Sequence, residues 1–185
     1  MTWWRRWLGR TTSPADAARE SWRKAWAAAA AHPDCGRVES LQAELAALAL
    51  PEEEIELERE MLEGLATVCG QLTQLETGLP SVETGHRVIG TEACHFSAPA
   101  FMPDEPSQPA GRLLFTGARA VFVGAGKPST IPWHSIAEVH YSARDVLLMR
   151  ADRERLYRFR TNSYADALCA TQLALRLMPK RSRAL

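Results

Sequence analysis

The chain has 185 residues, which is enough for one ordinary domain or two small ones. Residues 1–84 hold 8 basic and 14 acidic residues, a net charge of −6, whereas residues 85–185 hold 14 and 8, a net charge of +6. This asymmetry indicates two domains with different surfaces, and the positive part favours either an anionic partner or the negative part of the same chain. No run approaches the roughly 20 apolar residues of a membrane-spanning helix, and the N-terminus lacks the apolar core of a signal peptide. We therefore expect a cytoplasmic protein.

The first twelve residues form a segment rich in tryptophan and arginine, here called the Trp/Arg segment. Indole rings suit a membrane interface and guanidinium groups bind lipid phosphates. Three alternatives stay open from the sequence: the segment contacts an anionic membrane, its tryptophans cover the apolar side of the helical region that follows, or it is disordered in solution. The candidate membrane contacts are Trp3, Trp4, Arg5, Arg6 and Trp7.

Residues 13–80 are predicted to form a helical domain of about three helices. Ser13 is a suitable N-cap, Pro14 fits the first helical position, and this helix is expected to end near Ala31. A second apolar stripe begins at Val38. Pro51 is predicted to start a third helix that continues to Thr77, a length of about 27 residues that spans about 40 Å at a rise of 1.5 Å per residue. Its first turns hold seven glutamates, which we interpret as a solvated helix face.

Residues 84–178 read as a small β domain, followed by a basic tail at 179–185. The β-type runs are short and leave little room for crossover helices, which predicts an antiparallel meander. A proline-rich loop is expected at Ser97–Ala110 and a closing helix at Tyr164–Met178. The predicted strands are His86–Phe96, Arg112–Thr116, Arg119–Val123, Thr130–Ile131, Ile136–Tyr141, Val146–Arg150 and Arg155–Arg160.

Eight positions between residues 111 and 136 carry a resemblance to a known family. They are Gly111, Leu113, Thr116, Arg119, Phe122, Ile131, Pro132 and Ile136. With this pattern the stretch from about 85 to 178 resembles the GRAM branch of the PH-like superfamily. The resemblance implies an α+β fold in which an N-terminal helical bundle precedes a PH-like antiparallel β-barrel capped by a C-terminal helix. It also implies a scaffold that binds phosphoinositides, other anionic lipids or peptides, without catalysis.

The candidate contacts for an anionic ligand or partner are Arg112, Lys127, Arg158 and Arg160. The loop that usually supplies basic residues to a PH-type lipid site, if it is Ser97–Ala110, holds two acids and no Lys or Arg. That composition argues against a phosphoinositide pocket of the usual kind.

Other chemistries find little support in the sequence. The glycine loop before Lys127 is not a P-loop, because Val121 and Pro128 stand where glycine and Ser/Thr are required and a strand follows. The four cysteines form no CxxC pair, so we expect reduced thiols and neither a disulfide framework nor a zinc site. No catalytic residue, metal ligand or cofactor is predicted.

Two functions remain open from the sequence. The first is a non-enzymatic adaptor that binds a protein partner through its PH-like domain, with a homodimer through the helical region as a further expectation. The alternative is a peripheral membrane protein that binds anionic lipid through the Trp/Arg segment and the basic face of the barrel. Nucleic-acid binding is a minor alternative, resting on the arginines between residues 150 and 160.

Overall fold

The structure is a computed structural model that describes residues 13–107 and 109–179. The Trp/Arg segment and the basic tail after residue 179 lie outside the described residues, and so do the predicted membrane contacts Trp3, Trp4, Arg5, Arg6 and Trp7. The chain divides into two compact units, one up to Leu62 and one from Glu63. This division falls inside the third helix, whereas the sequence suggested domain limits near residues 80 and 84, which stay predictions.

The first unit is helical. It contains α1 (Pro14–Ala31), α2 (Val38–Ala47) and the beginning of α3 (Glu56–Thr77). Short 3-10 turns at Cys35–Arg37 and Glu52–Glu54 precede α2 and α3. The predicted helices are therefore present, joined by tighter connections than the sequence pattern suggested.

The start of α1 follows the capping signal in the sequence. The Ser13 hydroxyl accepts a hydrogen bond from the Asp16 amide at 3.0 Å, and Pro14 occupies the first turn. The helix ends at Ala31 because His32, which precedes Pro33, has an extended backbone with φ −131° and ψ 90°. Local sequence alone is sufficient to define both ends of this helix.

Two buried indoles hold the first unit together. The Trp22 indole donates a hydrogen bond to the Leu41 carbonyl at 2.8 Å, and the Trp26 indole donates to the Met61 carbonyl at 2.7 Å. Both side chains are buried. Each ring therefore buries a large apolar surface while its one polar group keeps a partner.

The third helix differs from its prediction in two respects. It does not run unbroken from Pro51, because Ile55 has a non-helical backbone (φ −118°, ψ 13°) that separates the 3-10 turn from α3. The glutamates are not all solvated either, since Glu58 is fully buried and pairs with Arg23 of α1 through a hydrogen bond of 2.7 Å. A buried carboxylate needs such a partner, and only the packing of α1 supplies it.

The second unit contains one antiparallel sheet of seven strands in the order β4-β3-β2-β1-β7-β6-β5. The helix α4 (Tyr164–Leu177) follows the last strand, so the α+β fold class is confirmed. The sheet is not closed into a barrel, because β4 and β5 are its two edges. The strands are β1 (Cys94–Phe101), β2 (Ala110–Thr116), β3 (Arg119–Gly124), β4 (Ser129–Pro132), β5 (Ile136–Ser142), β6 (Asp145–Arg150) and β7 (Leu156–Thr161).

The first strand was predicted too early in the chain. Arg87–Ile89 is a 3-10 turn, and β1 runs on to Phe101, so the loop before β2 is shorter than the sequence suggested. The prediction of a loop from Ser97 onward was wrong because it was based on the proline content of this stretch. Pro99 is tolerated inside β1 because the strand pairs with β2 there and meets β7 only at its last two residues.

The sheet wraps an apolar core that α4 covers. Phe115 lies against Trp133 with ring centroids 5.0 Å apart in an edge-on arrangement, and both side chains are fully buried. The Ser163 hydroxyl caps α4 by accepting a hydrogen bond from the Asp166 amide at 3.1 Å. Gly64 of α3 lies so close to the start of α4 that an added Cβ would be 3.0 Å from the Ala165 amide nitrogen.

The cysteines differ from the expectation of four reduced thiols. Cys35 and Cys69 each take part in a disulfide bond, whereas Cys94 and Cys169 are free and buried. The sequence spacing gave no sign of this, because disulfide formation depends on the distance between cysteines in the folded chain. None of the described helices is long and apolar enough to cross a bilayer.

Candidate ligand pocket

Three loops at one end of the sheet enclose a pocket of about 470 Å³. This volume lies within the range of roughly 300–1,000 Å³ that is typical of ligand sites. The loops are those between β1 and β2, β3 and β4, and β6 and β7. The lining residues are Met102, Glu105, Ser107, Pro109, Phe122, Gly124, Ala125, Gly126, Lys127, Ser129 and Arg155.

The walls of the pocket are held by backbone contacts. The Met102 amide donates a hydrogen bond to the Pro109 carbonyl at 3.1 Å, which closes the β1–β2 loop at its base. Beside it, Gly111 of β2 lies directly against β3, since an added Cβ would be 2.1 Å from the Val123 carbonyl oxygen. Only glycine fits there, which gives a physical reason for the first residue of the family-like pattern.

The lining of the pocket combines apolar and cationic side chains. Met102 and Phe122 are buried, and the Phe122 ring packs 5.7 Å from the Phe159 ring. Lys127 and Arg155 supply the positive charge. The ammonium group of Lys127 has no ion-pair partner among residues 13–107 and 109–179, so it is available to an anionic group.

Arg155 already has partners. Its guanidinium lies 4.7 Å from the centre of the Tyr157 ring, and one of its nitrogens is 3.3 Å from a Glu105 carboxylate oxygen. Both members of this ion pair are about half exposed, so the pair contributes little to stability. An incoming carboxylate can therefore replace Glu105 at Arg155 at small cost.

A second charged cluster lies on the strands β6 and β7. Asp145 is buried and accepts hydrogen bonds from Arg158 at 2.7 Å and from Arg160 at 2.6 Å. Burial alone raises the pKa of a carboxyl group, but the hydrogen bonds from Arg160 and Arg158 outweigh burial and hold the pKa of Asp145 below its usual range. Arg158 also lies 3.4 Å from Asp104. The charges of both arginines are thus largely neutralised within the chain.

The structure separates the four basic residues that the sequence singled out. Lys127 lines the pocket, Arg158 and Arg160 pair with Asp145, and Arg112 donates a hydrogen bond to the Ser97 hydroxyl at 3.0 Å. A role for each of them in ligand binding stays a prediction.

Sequence reasoning missed Arg155, although a signal for it was present. Arg155 directly precedes β7, and continued alternation places it on the same side as Tyr157 and Phe159, which agrees with the contact between its guanidinium and the Tyr157 ring. The arginines predicted as contacts, Arg158 and Arg160, lie on the opposite face. Nothing in the local sequence marked Glu105 as the partner of Arg155, or Asp145 as the partner of the β7 arginines.

No protein-family model matches this chain, and no curated protein sequence matches it. Among solved structures, the C-terminal domain of an unknown protein from Leishmania infantum is similar at 14% identity with a TM-score of 0.41, over 49% of this chain and 88% of that one. The N-terminal PH domain of the human ARAP2 protein is 13% identical with a TM-score of 0.38, over 49% and 84%. Inner Membrane Complex sub-compartment protein 3 from Toxoplasma gondii is 15% identical with a TM-score of 0.35, over 45% and 73%.

Proposed function

We propose that this chain is a non-enzymatic binding protein whose sheet unit is a PH-like domain of the GRAM type that recognises a protein segment in the pocket at the sheet end. The observation that carries the proposal is the lining of that pocket, where buried Met102 and Phe122 line the same cavity as Lys127, whose ammonium group has no ion-pair partner among the described residues. A large apolar side chain next to a carboxylate matches this lining.

The distribution of charge favours a peptide over a highly phosphorylated headgroup. The headgroup of a phosphoinositide carries several negative charges and is usually bound by several basic side chains that have no other ion-pair partner. Among the residues that the structure describes, the pocket has one cation without an ion-pair partner, Lys127, and one arginine that Glu105 already contacts. The arginines of β7, Arg158 and Arg160, share the single carboxylate of Asp145, and Arg158 also contacts Asp104, so most of their charge is offset within the chain and little is left for further phosphates.

Gly126 allows the pocket to be blocked without disturbing the fold. An added Cβ at Gly126 meets no atom within 4 Å, and the residue is exposed. We expect Gly126→Trp to fill the pocket. Gly85→Trp is the matched control, because Gly85 is also exposed with open space around it and does not line the pocket.

The test is a selection of random displayed peptides against the purified full-length protein, followed by affinity measurements on the synthetic peptides. We expect the enriched peptides to share an acidic residue beside a large apolar one. Their affinity is expected to fall by about tenfold or more in Gly126→Trp and to stay unchanged in Gly85→Trp, since a tenfold change corresponds to about 1.4 kcal/mol. The proposal is contradicted if the selected peptides bind Gly126→Trp with the same affinity as the unmodified chain.

The alternative function is a peripheral membrane protein that uses the Trp/Arg segment and the basic face with Arg158 and Arg160. Flotation with phosphatidylcholine vesicles, with and without phosphatidylserine, distinguishes it from peptide binding. Vesicle binding that needs phosphatidylserine, and that is lost when Trp3, Trp4 and Trp7 are changed to alanine, supports the membrane alternative. A homodimer and a cytoplasmic location stay predictions, which sedimentation and cell fractionation test.

A further inference from the structure

The helical unit has an apolar groove of its own between α2 and α3. It encloses about 230 Å³ and is lined by Gln42, Leu45, Ala46, Ile55, Arg59 and Leu62. Leu45 and Ile55 form a buried floor, whereas Gln42 and Arg59 are exposed at the rim. The groove therefore suits an apolar side chain that belongs to a segment whose neighbouring residues are polar.

Three hydrogen bonds fix the direction of α1 relative to this groove. Arg19 donates to the Glu54 carbonyl, Arg23 to the Glu58 carboxylate and Trp26 to the Met61 carbonyl, and each pair is separated by 35 residues. A constant separation means that α1 runs parallel to the chain from Glu54 onward. The N-terminal end of α1 thus lies at the same end of the unit as the connection between α2 and α3, next to the groove.

The chain that enters α1 is long enough to reach the groove. Ser13 lies six residues before Arg19, which is about 9 Å along a helix axis. Arg19 contacts Glu54, the neighbour of the groove residue Ile55. Five extended residues span roughly 17 Å, so a chain that turns back at Ser13 brings Trp7 to the groove, and Trp4 and Trp3 reach further along it.

The charges of the two parts are complementary. The Trp/Arg segment has three arginines and no acidic residue, a net charge of +3. Residues 13–62 hold five basic and eleven acidic residues, a net charge of −6. Opposite charge on this scale attracts the segment to the surface, while indole burial provides the short-range stabilisation.

We propose that the groove between α2 and α3 is the intramolecular binding site of the Trp/Arg segment, with one of its indoles buried over Leu45 and Ile55. This gives the segment a place within the helical unit. A membrane, or any other partner of these tryptophans, has to compete with the groove for them.

The test uses a fluorescent peptide of residues 1–12 and full-length protein. In the first arm, the receptor is the full-length chain with Trp3, Trp4 and Trp7 changed to alanine, whose groove is vacant under the proposal. We expect it to bind the peptide about tenfold or more tightly than the unmodified chain, whose own segment fills the groove. A peptide that keeps the arginines but has alanine for each tryptophan is expected to bind much more weakly.

The second arm blocks the groove in the triple-alanine receptor. Ala46→Trp is expected to abolish peptide binding, whereas Ala47→Trp is the matched control, since Ala47 is an exposed alanine on the same helix that does not line the groove. Gln42→Trp at the other rim provides a second blocking variant if Ala46→Trp does not fold.

Three results overturn the proposal. One is equal affinity of the peptide for the unmodified and triple-alanine chains. Another is binding that survives both Ala46→Trp and Gln42→Trp. The last is equal binding of the alanine peptide, which would show that charge alone attracts the segment.

Discussion

Arg160 holds Asp145 with two parallel hydrogen bonds, from its Nε to Oδ1 at 2.6 Å and from a terminal nitrogen to Oδ2 at 3.0 Å. The carboxylate is buried while the guanidinium remains partly exposed. Arg160 was predicted from the sequence as a contact for an anionic ligand. In the folded chain its guanidinium group already binds a carboxylate through two hydrogen bonds. Arginine uses the same two-point geometry to bind phosphate.

The first prediction concerns this buried carboxylate. Asp145→Asn removes the negative charge that Arg158 and Arg160 share, and hydrogen bonds to charged groups contribute about 1.5–3 kcal/mol. We expect the free energy of unfolding to fall by about 2–3 kcal/mol in urea denaturation. Asp104→Asn is the control, because its contact with Arg158 is exposed, and it is expected to cost less than about 1 kcal/mol. Equal effects of the two substitutions contradict this assignment.

The second prediction concerns pH. The pKa of Asp145 in the folded chain lies below its ordinary value of 3.8, so ionisation of this group stabilises the fold above that pH. The stabilisation is lost as the pH falls from 3.8 through the folded-state pKa. The difference in melting temperature between the unmodified chain and Asp145→Asn is therefore expected to be constant near neutral pH and to shrink below pH 3.8. A difference that persists at lower pH argues against the depressed pKa.

The third prediction concerns the close contact of β2 with β3. Gly111→Ala places a methyl group 2.1 Å from the Val123 carbonyl oxygen, and the two strands have to separate to relieve the overlap. We expect a loss of about 3 kcal/mol in the free energy of unfolding. Gly126→Ala, with nothing within 4 Å, is expected to change it by less than about 0.5 kcal/mol. Thermal denaturation of both variants measures the difference. Similar melting temperatures would contradict the prediction, because they would show that β2 and β3 accommodate the methyl group at little cost.

The fourth prediction concerns the buried pair of Arg23 and Glu58. Among the described residues the second oxygen of Glu58 has no hydrogen-bond partner, so Arg23 is what offsets the burial of this charge. Arg23→Met is expected to cost about 3 kcal/mol, whereas the double variant Arg23→Met/Glu58→Leu regains most of that loss.

Lys24→Met serves as the control for that pair. Lys24 is the next residue on α1, and its one ion pair with a described residue is an exposed contact of 3.9 Å with Glu20. Its substitution is expected to change the free energy of unfolding by less than about 1 kcal/mol. Chemical denaturation of the three variants measures these effects. A double variant less stable than Arg23→Met contradicts the interpretation.

The fifth prediction concerns the thiols. With Cys35 and Cys69 in disulfide bonds, the unfolded, unreduced chain is expected to show two reactive thiols, and four after reduction. In the folded chain Cys169 is expected to react slowly near neutral pH, because burial first and Asp166 second raise its pKa to about 12. Titration with a thiol reagent gives both counts. Four reactive thiols before reduction would contradict the disulfide bonding.

Much of the local structure was determined by the sequence itself. Ser13, Pro14 and Asp16 mark the start of α1 because capping involves residues within one turn of each other. The alternation in β7 likewise gave the correct buried face, with Tyr157 and Phe159 inside. The order of short strands and a closing helix was sufficient to predict the α+β class.

The tertiary structure decided how the buried charges are paired, because Glu58 and Asp145 each have arginine partners that are distant in sequence. The burial of Glu58 depends on Arg23, which lies 35 residues earlier in the chain and contacts its carboxylate. Arg160 likewise pairs with Asp145 of the neighbouring strand. Pro99 lies inside β1 because that part of the strand pairs on one side only. Periodicity reports which face a residue occupies, but the identity of the group across from it depends on strand order and helix packing. The pocket containing Lys127 and Arg155 is formed in this way, by three loops that only the folded sheet brings together.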